Sequence, residues 1–439
     1  MDNVKALTEP GLKKLFGIIK DEIKNNSQGG TGGGIESQLS EYFYSKQEIL
    51  DILRGSGGAG GAIEWDEKTP GFNSDMVWKN VDTDIEASCT KVLHDNGKFI
   101  AVFQYNYIVI LNENNPTEVE STICIRDIIG SSNPIEIRDM VFAEDSYYIS
   151  GWDGVDSIGY ILRSTDLTSY DKIIINNAGA LYGVWPNGDQ IYFYCEDSYK
   201  SGSSVYESFS LYSVMNTISN CSVSSVSNGN TVEPTDCNKL KTHYQSSYSI
   251  PIRNFFIIDG CLFVVGSFKI TSTSSNKYPG ILICNLLNDY YLRIWNTAYD
   301  PSINMVNAFN VNGSMYLITY WVNDTVKKFR YELYHYDKTS NIFSRIHPAG
   351  DVTEKYTDLA LMLDPKTVNL NCAIALSGKY MIYYGGNACF ASSLEDFIDN
   401  LSTIEPFRVS SNMILSVAHN YKYIVAGGEN GNLIVAAIS

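Results

Sequence analysis

From about residue 75 onward one pattern of apolar and polar positions recurs: an apolar run, a tight polar turn, then a second apolar run that often ends in glycine. The turns are Asp95-Asn96-Gly97-Lys98, Glu144-Asp145-Ser146, Asn187-Gly188-Asp189, Asp259-Gly260, Asn312-Gly313-Ser314, Ser377-Gly378-Lys379 and Asn420-Tyr421-Lys422. Asn-Gly and Asp-Gly favour two-residue hairpins because both central positions take positive φ. The turns recur every 43 to 72 residues; the shorter steps fit a four-stranded unit and the longer ones a unit with insertions. Third strands such as 281–284 and fourth strands such as 172–175 follow the hairpins. Radial repetition of such units leaves only short, protected sheet edges. The expected fold is mainly β, a seven-bladed β-propeller over 75–439; a β-sandwich array would carry the same local signals. After 433–436 the last unit is short of a fourth strand, whereas Asp75-Met76-Val77-Trp78-Lys79-Asn80-Val81 is an apolar strand without a unit. Residues 75–82 are therefore expected to close the last blade and remove the free edges.

Up-and-down strands place the second-to-third loops and the connections between units on one face. The long insertions read as loops all fall there: 196–206, 267–279 and 321–327 within units, about 225–249 and 346–371 between them. The closing strand enters from the opposite, tight-turn face, so the elaborated face points away from whatever precedes it.

Residues 1–74 have a different pattern. Pro10 can begin a helix without losing a hydrogen bond, and Leu12, Leu15, Phe16, Ile19 and Ile23 recur at three- and four-residue spacing as one apolar stripe. A second short helix is expected from Ser45, with Glu48 completing a capping box and Ile49 and Leu53 on its apolar face. Glycine runs at 29–34 and 55–61 interrupt both. A lone amphipathic helix of about 15 residues is marginal in water, so its stripe needs a partner. The expectation is a helical, Gly-rich stalk through which copies of the chain associate as a homo-oligomer.

Charge and composition narrow the function. The net charge of -17 opposes attraction to phosphate, so nucleic acid is not an expected partner. No run is long and apolar enough for membrane insertion, and no signal-peptide core follows Met1, so assembly in a cytoplasm is expected. Nine cysteines without zinc-type spacing suit buried thiols; Cys221 and Cys237, flanking a serine-rich insertion, could also pair.

No catalytic motif, metal site or cofactor motif is legible. Arg163-Ser164-Thr165-Asp166-Leu167-Thr168-Ser169-Tyr170 resembles a degenerate Asp-box, a structural turn of sialidase-type propellers, but nine arginines and no Arg-Ile-Pro opening argue against a sialidase. The five histidines are scattered, and Gly385-Gly386-Asn387 and Gly427-Gly428-Glu429-Asn430-Gly431 read as strand-ending turns rather than phosphate loops. The binding candidates are aromatic and acidic residues near the elaborated face: Trp152, Asp153, Tyr199, Tyr206, Trp321 and Glu429. Aromatic rings stack on sugars while carboxylates and amides bind hydroxyls, so this mixture suits a glycan.

Residues 7–20, Leu-Thr-Glu-Pro-Gly-Leu-Lys-Lys-Leu-Phe-Gly-Ile-Ile-Lys, resemble the opening segment of tail and fibre proteins of phages that infect low-GC bacteria. Residues 42–53, Tyr-Phe-Tyr-Ser-Lys-Gln-Glu-Ile-Leu-Asp-Ile-Leu, are similar to the Y-x-K-x-E-[IV]-x-x-[LI] segment of such fibres, often a trimeric coiled coil. The resemblance implies a virion tail fibre or receptor-binding protein, attached to other tail or baseplate proteins through 1–74, whose propeller contacts a host surface glycan or protein. The alternatives are a structural virion decoration or spacer, and a glycan-active enzyme.

Overall fold

The computed structural model describes residues 76–438 apart from 202, 244–253, 259–260, 269–277, 286–291, 297–302, 312–313, 324–327, 338–339, 341, 349–356, 359–369, 377 and 421. The expected stalk, with Leu12, Leu15, Phe16, Ile19, Ile23, Ile49 and Leu53, and the turns at 259–260 and 312–313 lie outside the described residues.

The described chain is mainly β and propeller-like, built from successive antiparallel meanders of four strands. A short strand β1 (Trp78–Asn80) comes first. The first sheet is β2 (Cys89–Asp95), β3 (Lys98–Phe103), β4 (Tyr107–Leu111) and β5 (Val119–Cys124). Helix α1 (Ile125–Ile129) leads into the second, β6 (Glu136–Ala143), β7 (Ser146–Asp153), β8 (Ile158–Ser164) and β9 (Asp171–Asn176). The third opens with β10 (Leu181–Asn187), β11 (Gln190–Ser201) and β12 (Ser204–Met215). Three short strands, β13 (Asn220–Ser222), β14 (Ser225–Ser227) and β15 (Asn230–Val232), precede its fourth strand, β16 (Asn238–His243). The fourth sheet is β17 (Asn254–Ile258), β18 (Cys261–Phe268), β19 (Tyr278–Asn285) and β20 (Leu292–Asn296). The fifth is β21 (Ile303–Val311), β22 (Ser314–Asn323), β23 (Lys328–Asp337) and β24 (Ile342–His347), with β25 (Thr357–Asp358) paired back on β23. The sixth is β26 (Leu370–Leu376), β27 (Lys379–Tyr384), β28 (Asn387–Ala391) and, after helix α2 (Leu394–Asp399), β29 (Phe407–Arg408). The last sheet, β30 (Ile414–His419), β31 (Tyr423–Gly428) and β32 (Leu433–Ala437), takes β1 as its outermost strand, Trp78 opposite Ala436 and Asn80 opposite Ile434.

Turn chemistry explains the hairpins. Asn96 and Gly97 both take positive φ (49° and 67°), the pattern of a type I′ turn, and Glu144 and Asp145 adopt it without any glycine (49° and 56°). The second strands read as unbroken apolar runs because each sheet is packed on both sides. In β3 every residue from Phe99 to Phe103 is buried. Ile100 and Val102 join Tyr147 and Ile149 of the second sheet in one cluster; Val184 and Phe193 of the third sheet pack with Ile161 and Ile173 of the second. Phe263 packs with Leu317, Phe309 with Ile382, and Tyr383 with Ile424. The last sheet meets the first through Val425, Leu433 and Val435 against Val92 and Phe99, and the Val92 N–H donates to Ser416 Oγ at 3.0 Å. Each such aliphatic or Phe side chain contributes roughly 1.5–3 kcal/mol on full burial.

The glycine-rich strand ends reflect close backbone approach. A Cβ on Gly428 would lie 2.2 Å from the Met413 carbonyl oxygen, and one on Gly386 would lie 2.5 Å from that of Ser410. Only glycine lets the second strand run so close to the connection before its neighbour.

Two expected loops take other forms. Residues 196–206 are not a loop: β11 and β12 continue in register to Ser201 opposite Ser204, a hairpin arm extending beyond the sheet. Residues 225–249 are not simply a connection between sheets. The chain leaves β12, adds β13 in parallel to β9 of the second sheet, forms the β14–β15 hairpin, and returns as β16 beside β12. The hairpin turns on Asn228 and Gly229, both at positive φ, an Asn-Gly signal inside the serine-rich stretch. Of the other expected loops, 269–277 and 324–327 lie outside the described residues, with strands reaching Phe268 and Asn323 on their near sides.

Candidate functional site

Six of the innermost strands, all but β17, share one irregularity among the described residues. Register slips between Cys89 and Lys91, Ile137 and Asp139, Leu181 and Gly183, Met305 and Asn307, Leu370 and Cys372, and Ile414 and Ser416. Each slip is a β-bulge that bends the strand and re-aims one side chain. All sit at the end of the innermost strand where the connection from the preceding sheet arrives, on the face that also carries the second-to-third turns. In the second and third sheets the extra residues are Arg138 and Tyr182.

There they build a compact cluster. The Arg138 guanidinium carbon lies 5.9 Å from the Trp152 ring centroid and 5.3 Å from that of Tyr182. Arg138 Nη2 is 2.8 Å from Glu136 Oε2, with both side chains largely covered. Glu136 Oε1 accepts from Gln104 Nε2 at 3.2 Å, and that amide also reaches the Tyr105 hydroxyl at 3.3 Å. Trp152 Nε1 donates to the Ala178 carbonyl (3.3 Å), fixing the indole, and the Tyr182 hydroxyl donates to Glu196 Oε1 (2.7 Å). Burial, and then the Glu196 carboxylate, push the Tyr182 hydroxyl pKa upward, so it stays a protonated donor. Arg138 Nε is buried and has no hydrogen-bond partner among the described residues, and Tyr105 is exposed. A guanidinium beside two rings, paired on one edge with Glu136 and with its side chain still 25% exposed, suits a ligand presenting oxygen acceptors beside an apolar ring face.

The six residues proposed from sequence fall at the same face but not in one cluster. Trp152, at the end of β7, belongs to the site. Asp153 is fully buried. Its carboxylate accepts from Ser131 Oγ (3.0 Å), Asn133 Nδ2 (3.0 Å) and the backbone N–H groups of Val155 (3.0 Å) and Asp156 (3.1 Å). Burial alone would raise its pKa; the donors, led by the Asn133 amide, outweigh it and hold the pKa below the usual carboxylate range. Asp153 is thus the clasp of the β7–β8 turn that carries Trp152. Replacing it with Ala should cost about 1–3 kcal/mol, since several donors lose their acceptor, measured as a lowered urea midpoint.

Tyr199 and Tyr206 are directly opposite in the β11–β12 arm, and Trp321 lies in β22 opposite Arg330. Glu429 is half-buried after β31, its N–H bonded to the Met413 carbonyl at 3.0 Å. Beside it Asn430 and Gly431 line a shallow depression with Asp82, Asp84 and Glu86, which shares no residue with the arginine cluster. Sequence reasoning missed Gln104, Glu136, Arg138, Tyr182 and Glu196. The available signal was the polar residue alternating with Ile135 and Ile137 at the start of an apolar strand.

The Asp-box-like segment is a turn between β8 and β9 on the opposite face. Asp166 Oδ1 accepts from the Thr168 (2.8 Å) and Ser169 (3.2 Å) N–H groups, with the buried Leu167 at positive φ. Among the described residues no group of three or more His, Cys, Asp or Glu could hold a metal, and no helix is long and apolar enough to cross a membrane.

No protein-family model matches the chain, and no curated protein matches it in sequence. Solved structures similar to it include the computationally designed Ika8 protein (6% identity, TM-score 0.41, covering 82% of this chain and 98% of that one). BamB from Moraxella catarrhalis is similar at 6% identity and TM-score 0.38, covering 82% and 100% of the two chains. The Dos1 propeller is similar at 9% identity and TM-score 0.43, covering 82% and 94%.

Proposed function

We propose that the chain is a receptor-binding protein of a phage tail, a seven-bladed propeller carried on residues 1–74, whose loop-rich face binds a host surface glycan. The observation that carries the reading is the partly exposed Arg138 guanidinium beside the Trp152 and Tyr182 rings, where the first three sheets meet. Rings recognise the apolar face of a sugar, and the guanidinium recognises its oxygens or an attached carboxylate. Seven four-stranded units with β1 completing the last support the blade count. The fibre-like segments at 7–20 and 42–53 support attachment to tail or baseplate proteins, as a homo-oligomer assembled in the bacterial cytoplasm.

The test is binding of the purified chain to cell-wall polysaccharide from candidate hosts, by calorimetry. Arg138→Ala or Trp152→Ala should each weaken binding by about tenfold or more, roughly 1.4 kcal/mol, while Glu429→Gln changes it little. Wild-type chain that binds no host wall, with particles adsorbing normally without the propeller, would favour a structural decoration; cleavage of the glycan would favour an enzyme.

A further inference from the structure

We propose that Cys221 and Cys237 form an oxidisable dithiol, a modification site that closes to a disulfide and pins the β13–β15 excursion to the second and third sheets. The inference is independent of the receptor-binding reading. Both cysteines are free thiols, Cys221 buried at 2% exposure and Cys237 partly exposed. The backbone holds them together: Ser222 and Thr235 exchange both N–H···O bonds (2.9 and 3.0 Å), and Cys237 Sγ lies 3.2 Å from the Ser222 carbonyl oxygen. The two side chains pack in one cluster, close enough that each thiol shifts the other's pKa.

The chemistry has a direction. The neighbouring Cys221 thiol lowers the Cys237 pKa, whereas Cys221, beside Cys237 and buried, is raised. The more exposed Cys237 is therefore the attacking thiolate and Cys221 the resolving thiol. With oxidised glutathione as oxidant, the Cys237 thiolate displaces one glutathione thiolate and leaves a mixed disulfide. Cys221 then loses its proton and attacks the Cys237 sulfur, expelling the second glutathione. Two protein thiols are oxidised and one glutathione disulfide is reduced to two thiols. The new bond closes the segment 222–236, which contains the β14–β15 hairpin and reaches the β11 arm through the Ser198 N–H to Ser224 carbonyl bond (3.2 Å). Cys195 belongs to the same cluster but is fully buried, with its thiol pKa raised by that burial, which makes it a poor competitor.

The full-length chain is equilibrated in glutathione redox buffer under native conditions, its remaining thiols are alkylated, and its peptides are mapped by mass spectrometry. The expected result is a Cys221–Cys237 cross-link, with about tenfold slower proteolysis within 223–236 in the oxidised form. Cys221→Ser should stop at a glutathione adduct on Cys237, and Cys237→Ser should form neither. Both variants keep small polar side chains, so circular dichroism identifies any that misfold, and the wild-type cross-link stands as a readout without them. A wild-type chain that keeps both thiols, stops at the glutathione adduct, or links either cysteine to Cys195 or to a second chain would overturn the proposal.

Discussion

Glu332→Ala is expected to destabilise the protein by about 3–5 kcal/mol, because it removes one partner of a buried charge network. Glu332 is 1% exposed and sits in β23 of the fifth sheet. Its Oε1 accepts from Arg330 Nε (2.9 Å), Arg330 Nη2 (2.7 Å) and Arg345 Nη1 (3.3 Å), and its Oε2 accepts from the Tyr334 hydroxyl (2.7 Å). Arg330 is itself 8% exposed, so the substitution takes from a desolvated guanidinium the carboxylate to which its Nε and Nη2 donate. Glu332→Gln keeps the shape and one acceptor and should cost less, about 1–3 kcal/mol. An Arg330→Met, Glu332→Met pair should recover part of the Ala loss, since buried ion pairs are often replaceable by apolar residues at little net cost. Urea midpoints at unchanged slope measure all three. An alanine variant within about 1 kcal/mol of wild type would show that water reaches the network.

How much of this was legible follows from how each element is encoded. Hairpins were readable because local backbone geometry dictates their residues: Asn96-Gly97 needs positive φ twice, whatever surrounds it. The β14–β15 hairpin carries the same signal at Asn228-Gly229, but its strands, Ser225–Ser227 and Asn230–Val232, are short and mostly polar. Helix α2 was similarly hidden. Ser393 accepts from the Asp396 N–H (3.0 Å) and Leu394, Phe397 and Ile398 are buried, but six residues are too few to establish a period. The Arg138 cluster was illegible for a different reason. Its members are far apart in the chain, and what brings them together is a bulge in each of two strands plus the packing of three sheets. A bulge inserts one residue and shifts the alternation, so Arg138 reads as one more polar position in β6. Trp152 was visible as an aromatic residue at a strand end; Asp153 beside it looked equivalent, and only its donors distinguish a clasp from a ligand-binding carboxylate.

Stability is expected to fall as the pH is lowered from about 6.5 toward 5, through two histidines where the first and last sheets meet. His94 is the last residue but one of β2 and packs its ring on Phe99 at 4.5 Å; His419 ends β30, with Nδ1 3.3 Å from the Asn420 carbonyl oxygen. Burial lowers the pKa of both from the ordinary 6.5. For His94 the Glu113 carboxylate, 3.5 Å away, opposes that shift in part; for His419 the Asn420 carbonyl opposes it and His94 adds to it. The sign follows from linkage. Above pH 6.5 both rings are neutral folded or unfolded, and their environment costs nothing in protonation. Below it the unfolded chain binds protons that the folded chain does not, so stability drops by up to about 1.4 kcal/mol per pH unit for each ring until the folded pKa is reached. Over 1.5 units the two together contribute at most about 4 kcal/mol. Asp139 works the other way: burial raises its carboxyl pKa against the pull of Lys91 at 2.5 Å, so protonating it favours the folded state. The histidine contribution is therefore read as the difference between wild type and a His94→Gln, His419→Gln variant, whose thermal midpoint should depend less on pH between 6.5 and 5. Parallel curves for the two proteins would mean that these rings are protonated in the folded state and that the closing interface already holds their charge.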